Sequence, residues 1–507
     1  MVTILDAILP ISTLIVTALL TIPIFKLIRK SNYKTGLTLA WILVVFILAG
    51  LTVANLAFSY YSIPNPEPLN LTLDATSNPA IASSFLIDAI SIYMVIIMTA
   101  IACVVMIYAV LFVKSADRPS DRYFAVMILL TGALLGAVLA GDLLTFFIFW
   151  EATTVAAAFL MLYRKSTFSL SATLKYLIMI IIASAFVVLG LSIVYSLTGT
   201  LNYIALRDAI SSIAGADMNL LIISFIFIAA GYAIEAAIVP FHFWLPDAYT
   251  AAPAPSAAFL SSLVDQGSYY IIIRILLFII LPPSVGGAFN WTLMIAIMAA
   301  LTMIVGNLLA LIQNNVKRLI AYICVADVGY NLIAITSTTQ LGLTGNLYFF
   351  LIGGLTTALA FMAIGIINSH GFRTLDDFAG VGKKMPWSSL ALVIAGLSFA
   401  GIPPLGGFIA KYFVFTAAIS ADLTWLAIIG VLTSVIQTAY IFRLVNVMYG
   451  KTPKDGNTTV IKENQYLLIP VFILVAAIFI IGLFPDTVLQ LFQPIMSQLP
   501  WAAPIIP

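Results

Sequence analysis

The chain has 507 residues, 63% of them hydrophobic and 8% charged, with a formal net charge of +2, whereas ordinary soluble domains are roughly one-quarter charged. That composition excludes a soluble fold of this size and makes the bilayer the solvent. The charge balance also excludes a nucleic-acid-binding surface, because the basic residues stand in short clusters between apolar runs.

Crossing a hydrocarbon core about 30 Å thick takes about 20 helical residues. On that measure the sequence predicts an all-α polytopic membrane protein of about fourteen helices, at 5–28, 36–60, 84–112, 122–140, 143–163, 170–198, 218–239, 251–281, 290–312, 318–337, 343–369, 387–420, 423–449 and 465–485. The first run is too long for a signal-peptide core and has no basic stretch before it, so it is expected to stay as a span of the mature protein. The expected units are 1–112 with helices one to three, 122–281 with helices four to eight, 290–449 with helices nine to thirteen, and 465–507 with the last helix and a tail. That tail, with Pro494, Pro500, Pro504 and Pro507, is too short for a long lateral helix.

Basic residues alternate between connections. Lys26, Arg29, Lys30 and Lys34 follow the first span, and Lys114, Arg118 and Arg122, then Arg164 and Lys165, then Lys317 and Arg318 come later. Arg373, Lys383 and Lys384, then Lys451, Lys454 and Lys462 continue the pattern, while the other side keeps only Arg207. Since positive loops stay cytoplasmic, both termini are expected on the non-cytoplasmic side of an energy-coupling membrane.

Two segments interrupt the helical pattern. One is Val239-Pro240-Phe241-His242-Phe243-Trp244-Leu245-Pro246, and the other is Gly401-Ile402-Pro403-Pro404-Leu405-Gly406-Gly407. Proline removes a backbone donor and breaks or kinks a helix. In lipid such a break survives only against protein or a water-filled cavity. Paired interruptions five helices apart suggest two inverted five-helix repeats with broken helices seven and twelve. Prolines that merely end helices at the membrane surface are the plainer alternative, stronger for the first segment than for the second.

A charged side chain at mid-membrane costs about 2.5–3.5 kcal/mol on insertion scales, so each one needs a partner or a task. Glu151, Lys175, Glu235, Asp327 and Lys411 all fall within predicted spans, and Arg274 is a more structural sixth. Carboxylates and amines in a dry interior can be tuned to load and release protons, and a Glu–Lys pair that forms and breaks would gate the transfer. The plain reading of each is a static ion pair that fixes helix register. His242 reads as a satisfied interfacial residue with a relay role open, and Asp265 beside Gln266 reads as part of the path or as an interhelical anchor. Cys103 and Cys324 lack metal-type spacing, two histidines are too few for haem ligation, and no nucleotide fingerprint occurs. No metal or cofactor is therefore expected in this chain.

The run Val239 to Ala248 followed by Ala252-Pro253-Ala254-Pro255-Ser256-Ala257, the run Lys317 to Tyr322 with Val328-Gly329-Tyr330, and the run Gly401 to Phe408 with Lys411 closely resemble the signatures of one family. It comprises the antiporter-like subunits of respiratory complex I, of Mrp sodium/proton antiporters and of membrane-bound hydrogenase-type complexes. The resemblance spans roughly 85–485 and implies a proton-translocating module with two half-channels joined by a polar axis. It matches Glu151, Lys175 and Lys411 to the family's glutamate and lysines of helices five, six and twelve. It also implies integral membrane partners, including antiporter-like paralogues, and peripheral redox subunits.

Two positions depart from the pattern. Glu235 stands where the family usually has a lysine, and Gln266 where it often has another; the polar position of the tenth helix is Asp327. A Glu235 carboxylate facing Glu151 would share one proton, or with Gln266 and hydroxyls would offer hard oxygen ligands to sodium; a path that has lost conduction is the third option. The expected function is an ion-translocating subunit of a redox-driven complex. The alternatives are a subunit of a stand-alone sodium/proton antiporter and a non-conducting structural subunit.

Overall fold

The computed structural model describes residues 2–28, 30–31, 33–63, 66–73, 83–113, 120–164, 166–210, 213, 215–275, 290–453 and 459–498. Arg29, Lys114, Arg118, Lys165, Lys454, Pro500, Pro504, Pro507 and the 276–281 end of the eighth predicted span lie outside the described residues. In chain order the helices of the first part are α1 (Ile4–Ile28), α2 (Lys34–Tyr61), α3 (Ala89–Phe112), α4 (Ser120–Leu139), α5 (Leu143–Met161), α6 (Thr167–Thr198), the short α7 (Tyr203–Ile210) and α8 (Ala216–Glu235). There follow α9 (Trp244–Ala251), α10 (Ala254–Phe259), α11 (Asp265–Ile273), α12 (Trp291–Leu311), α13 (Val316–Thr336) and α14 (Gln340–Ser369). The last of the longer helices are α15 (Pro386–Ala400), α16 (Gly406–Ser420), α17 (Thr424–Gly450) and α18 (Gln465–Leu483), with single-turn pieces at Val381–Lys384, Pro485–Leu489 and Gln493–Ser497.

Twelve of the described helices are long and apolar enough to cross a bilayer, which makes this an integral membrane protein. Their burial sets the layout. The most apolar stretch of α13 is 100% buried and that of α14 94%, whereas those of α1, α2, α6, α17 and α18 are only 33–39% buried. The former pair forms the centre, and the latter helices present Leu, Ile, Val and Phe outward, as a lipid-facing or subunit-facing surface must. Although α13 lies deepest, it is the least apolar of the twelve.

Polar caps fix the helix starts. Asp88 accepts the Ser91 amide at 2.9 Å and Ser91 accepts the Asp88 amide at 3.0 Å, a reciprocal pair that opens α3. For that reason the helix does not begin at 84, as the sequence predicts. Ser84–Ile87 instead pairs antiparallel with Leu69–Thr72, Leu69 opposite Ile87 and Thr72 opposite Ser84. Asp142 caps α5 through the Thr145 amide at 2.7 Å, and it also accepts both the amide and the hydroxyl of Ser84.

Three helices are interrupted. The seventh predicted span reaches 239, yet α8 stops at Glu235, and the chain turns through Ala236–Pro240 before α9. Pro240 has no N–H with which to continue the ladder. The eighth predicted span is not continuous either: a π-helical turn, Leu260–Val264, separates α10 from α11. In the twelfth, Gly401 takes the left-handed conformation at φ 74°, Pro403 and Pro404 supply no donors, and α16 begins at Gly406. The two halves then touch, since a Cβ on Gly407 would stand 1.9 Å from the Ser398 carbonyl oxygen.

Candidate functional site

The sequence-predicted residues fall into three neighbourhoods. In the first, α5 presents Trp150 to the interior and its neighbour Glu151 to α6, where the Ser184 hydroxyl donates to the half-buried Glu151 carboxylate at 2.6 Å. Glu235 closes α8, is 5% exposed, and accepts the Trp150 indole N–H on one oxygen, while its other oxygen has no hydrogen-bond partner. Glu151 and Glu235 are near enough for their charges to repel. The two carboxylates are separately held, Glu151 by a serine and Glu235 by an indole.

Lys175 pairs with an aspartate rather than a glutamate. The Lys175 side chain is 58% exposed, and its ammonium binds Asp247 at 2.7 Å. The second oxygen of Asp247 takes the Arg318 guanidinium at 3.0 Å, so one carboxylate at the start of α9 joins a cation from α6 to a cation from α13. Beside it, the Lys317 ammonium donates to the carbonyls of Ala252 and Thr250. Asp247 was missed in the sequence reading; the usable signal was its place inside the Trp-Leu-Pro-Asp run next to a helix break.

The second neighbourhood lies at the π-helical turn. An extra residue in that turn shifts the phase of everything after it, and such turns recur at functional sites. Directly behind it sit Asp265 and Gln266, 5% and 6% exposed. Asp265 accepts the Tyr249 hydroxyl, so the inter-element anchor considered for it is present. The Gln266 side-chain oxygen has no hydrogen-bond partner, and its amide nitrogen lies beside Gly353 of α14.

The third is built around the broken helix. Five residues after the α16 start, Lys411 is 5% exposed and donates to the Gln437 side-chain oxygen at 2.6 Å and to Ser434 at 3.1 Å, both on α17. Its ammonium also sits 4.2 Å from the Tyr330 ring centroid, a cation–π contact worth about 2 kcal/mol when desolvated. Asp327, on the wholly enclosed α13, feels the Lys411 charge without forming an ion pair with it, and its Oδ1 has no hydrogen-bond partner. The Gln437 side chain stands beside the Asp327 carboxylate and interacts with it, although Gln437 Nε2 makes no hydrogen bond of ordinary geometry.

His242 is 3% exposed in the turn after Pro240, with the Pro240 backbone beside its imidazole. Arg274 follows its structural reading: it grips Asp88 in a two-bond pair at 2.5 and 2.7 Å and donates to the Tyr270 hydroxyl at 2.7 Å, which in turn donates to the Val138 carbonyl. Among the described residues no group of three or more His, Cys, Asp or Glu side chains has metal-ligand spacing.

Buried polar atoms are almost always paired, by protein or by water. Among the described residues, those with an open buried polar atom include Glu235, Gln266, Asp327 and Gln437, and also Asn70, Thr145, Tyr203 and Ser389 elsewhere. Comparison with known proteins then decides the family. A profile described as NADH:quinone oxidoreductase/Mrp antiporter, TM, matches residues 140–437. This chain belongs to that family. NADH-quinone oxidoreductase subunit N of Acidithiobacillus ferrooxidans is 31% identical over 67% of this chain and 71% of its own length. F(420)H(2) dehydrogenase subunit N of Methanosarcina mazei is 28% identical over 87% of this chain and 90% of its own. Among solved structures, a chain of the membrane-bound sulfane sulfur reductase, an archaeal respiratory membrane complex, superposes with a TM-score of 0.86 at 26% identity, with 97% of each chain covered. A chain of the Mrp complex from a Dietzia species superposes with a TM-score of 0.83 at 23% identity over 98% of each, a likeness of fold.

Proposed function

We propose that this chain moves protons across the membrane as an antiporter-like subunit of a redox-driven complex, with its electron-carrying cofactors in partner chains. The observation that carries the proposal is the set of buried polar and ionisable groups within the long apolar bundle: Glu235, Asp265 with Gln266, and Asp327 with Lys411 and Gln437. Glu235 closes α8, Asp265 follows the π-helical turn and Lys411 stands in the first turns after the break before α16, while Asp327 and Gln437 lie within α13 and α17. Broken helices are tolerated in lipid where they line a hydrated route, and ionisable groups at such depth mark ion paths. On this reading 122–281 and 290–449 are inverted repeats, each with its own interruption, both termini lie on the non-cytoplasmic side, and Glu151 and Lys411 serve the two half-channels.

Relatives named as subunits of oxidoreductases support coupling to electron transfer. The fold shared with a chain of the Mrp complex supports a second reading, sodium/proton exchange, in which the Glu151–Glu235 neighbourhood would take the sodium. Purification of the complex that contains this chain, followed by reconstitution in proteoliposomes, tests both. Glu151→Gln and Lys411→Ala are expected to cut proton flux at least tenfold with the complex intact. Flux that tracks sodium instead would favour exchange, and unchanged flux in both variants would leave only a structural role.

A further inference from the structure

A small cavity lies between α5, α6, α8, α9 and the π-helical turn, walled by Trp150, Tyr176, Trp244 and Leu260 and reached by Glu235 and Tyr249. Its volume is about 10 Å³, room for about one water by a probe-sphere measure. The bonding around it is selective. Thr154 donates its hydroxyl to the Glu151 carbonyl at 2.9 Å, Tyr176 to the Thr154 carbonyl at 3.3 Å, and Trp244 its indole N–H to the Ile234 carbonyl at 2.9 Å. Trp150 spends its indole N–H on Glu235. That leaves the second oxygen of Glu235, which has no hydrogen-bond partner, and the lone pair of the Tyr249 hydroxyl, whose proton goes to Asp265.

We infer that Tyr249 is the proton bridge between Glu235 and Asp265, with one water in this cavity completing the connection. The inference rests on the proton-translocating reading above and names the element that carries the charge past the break after α8. When the Glu235 acid releases its proton to the water, the water gives one of its own to the Tyr249 oxygen as the phenolic hydrogen crosses to Asp265. One O–H bond forms and one breaks at both the water and the phenol, so Glu235 ends as carboxylate, Asp265 as acid and Tyr249 as neutral phenol. Rotation of the phenol O–H back toward Asp265, once Asp265 has passed its proton on, resets the bridge. An oxygen relay of this kind needs no lysine at position 235.

The ionisable groups around Tyr249 are Asp265 and Tyr269 from α11, Cys324 from α13, and, across the cavity, Glu235 from α8 and Tyr176 from α6. The test uses the intact complex in proteoliposomes under an imposed pH gradient. Tyr249→Phe is expected to lower proton flux at least tenfold. Replacement of Tyr249 by 3-fluorotyrosine keeps the hydroxyl and the packing while making the phenol more acidic, and it is expected to move the pH profile of flux to lower pH. A packing role predicts an unmoved profile, which would overturn the bridge even if the phenylalanine variant failed to assemble. Lys411→Ala separates the two levels of the argument. Loss of flux there with normal flux and profile at the Tyr249 variants sinks the bridge alone, whereas normal flux in all of them sinks the translocating reading with it.

Discussion

Removal of Asp88 should destabilise the protein more than removal of Asp88 and Arg274 together. The Asp88 carboxylate takes two N–H groups of the Arg274 guanidinium, at 2.5 and 2.7 Å, where the two side chains are 4% and 1% exposed, and it also caps α3. Asp88→Ala therefore strands a buried cation, a loss of about 3–5 kcal/mol, and removes a helix cap worth about 1 kcal/mol. Together these predict about 4–6 kcal/mol. In Asp88→Ala with Arg274→Met no charge is stranded, so the double variant should recover at least about 2 kcal/mol, a strongly non-additive cycle. Intrinsic fluorescence of the seven tryptophans during denaturant unfolding of the purified complex reads the difference. A double variant as unstable as the single one would show that the stranded charge is not the dominant cost, and the ledger above would fail.

Gly407→Ala places a methyl group 1.9 Å from the Ser398 carbonyl, so α15 and α16 must part; overpacking of about 1–3 kcal/mol should appear as a lowered unfolding midpoint and reduced flux. Gln437→Leu removes the acceptor 2.6 Å from Lys411 and should reduce proton flux in proteoliposomes at least tenfold while the complex still assembles. Trp150→Phe deletes the indole donor to Glu235 and should slow flux severalfold; unaltered flux would mean that the indole bond has no part in the transfer.

Most of the span positions were legible because about 20 apolar residues between polar breaks carry one meaning in lipid. The errors came from effects that hydropathy does not register. Ser84–Ile87 is apolar enough to read as helix, but Asp88 is a cap and moves the start to Ala89. The eighth span reads as unbroken, because a π-helical turn needs no proline to announce it. Glu151, Glu235, Asp265, Asp327 and Lys411 stood out as charges in apolar surroundings, whereas the partner of Lys175 did not. A lysine side chain reaches across several residues, and only the three-dimensional path of α9 brings Asp247 to it.

The helix least suited to lipid is the one that never meets it. α13, with Asp327 and the lowest mean hydropathy of the twelve long helices, gains least from lipid alone, since partition into lipid follows hydrophobicity. Its retention in the membrane therefore depends on neighbours already waiting or soon to follow, with α12 before it and α14 after it. Insertion of α13 is thus tied to its neighbours in the chain: a nascent chain halted after α13 would hold Asp327 against lipid rather than protein.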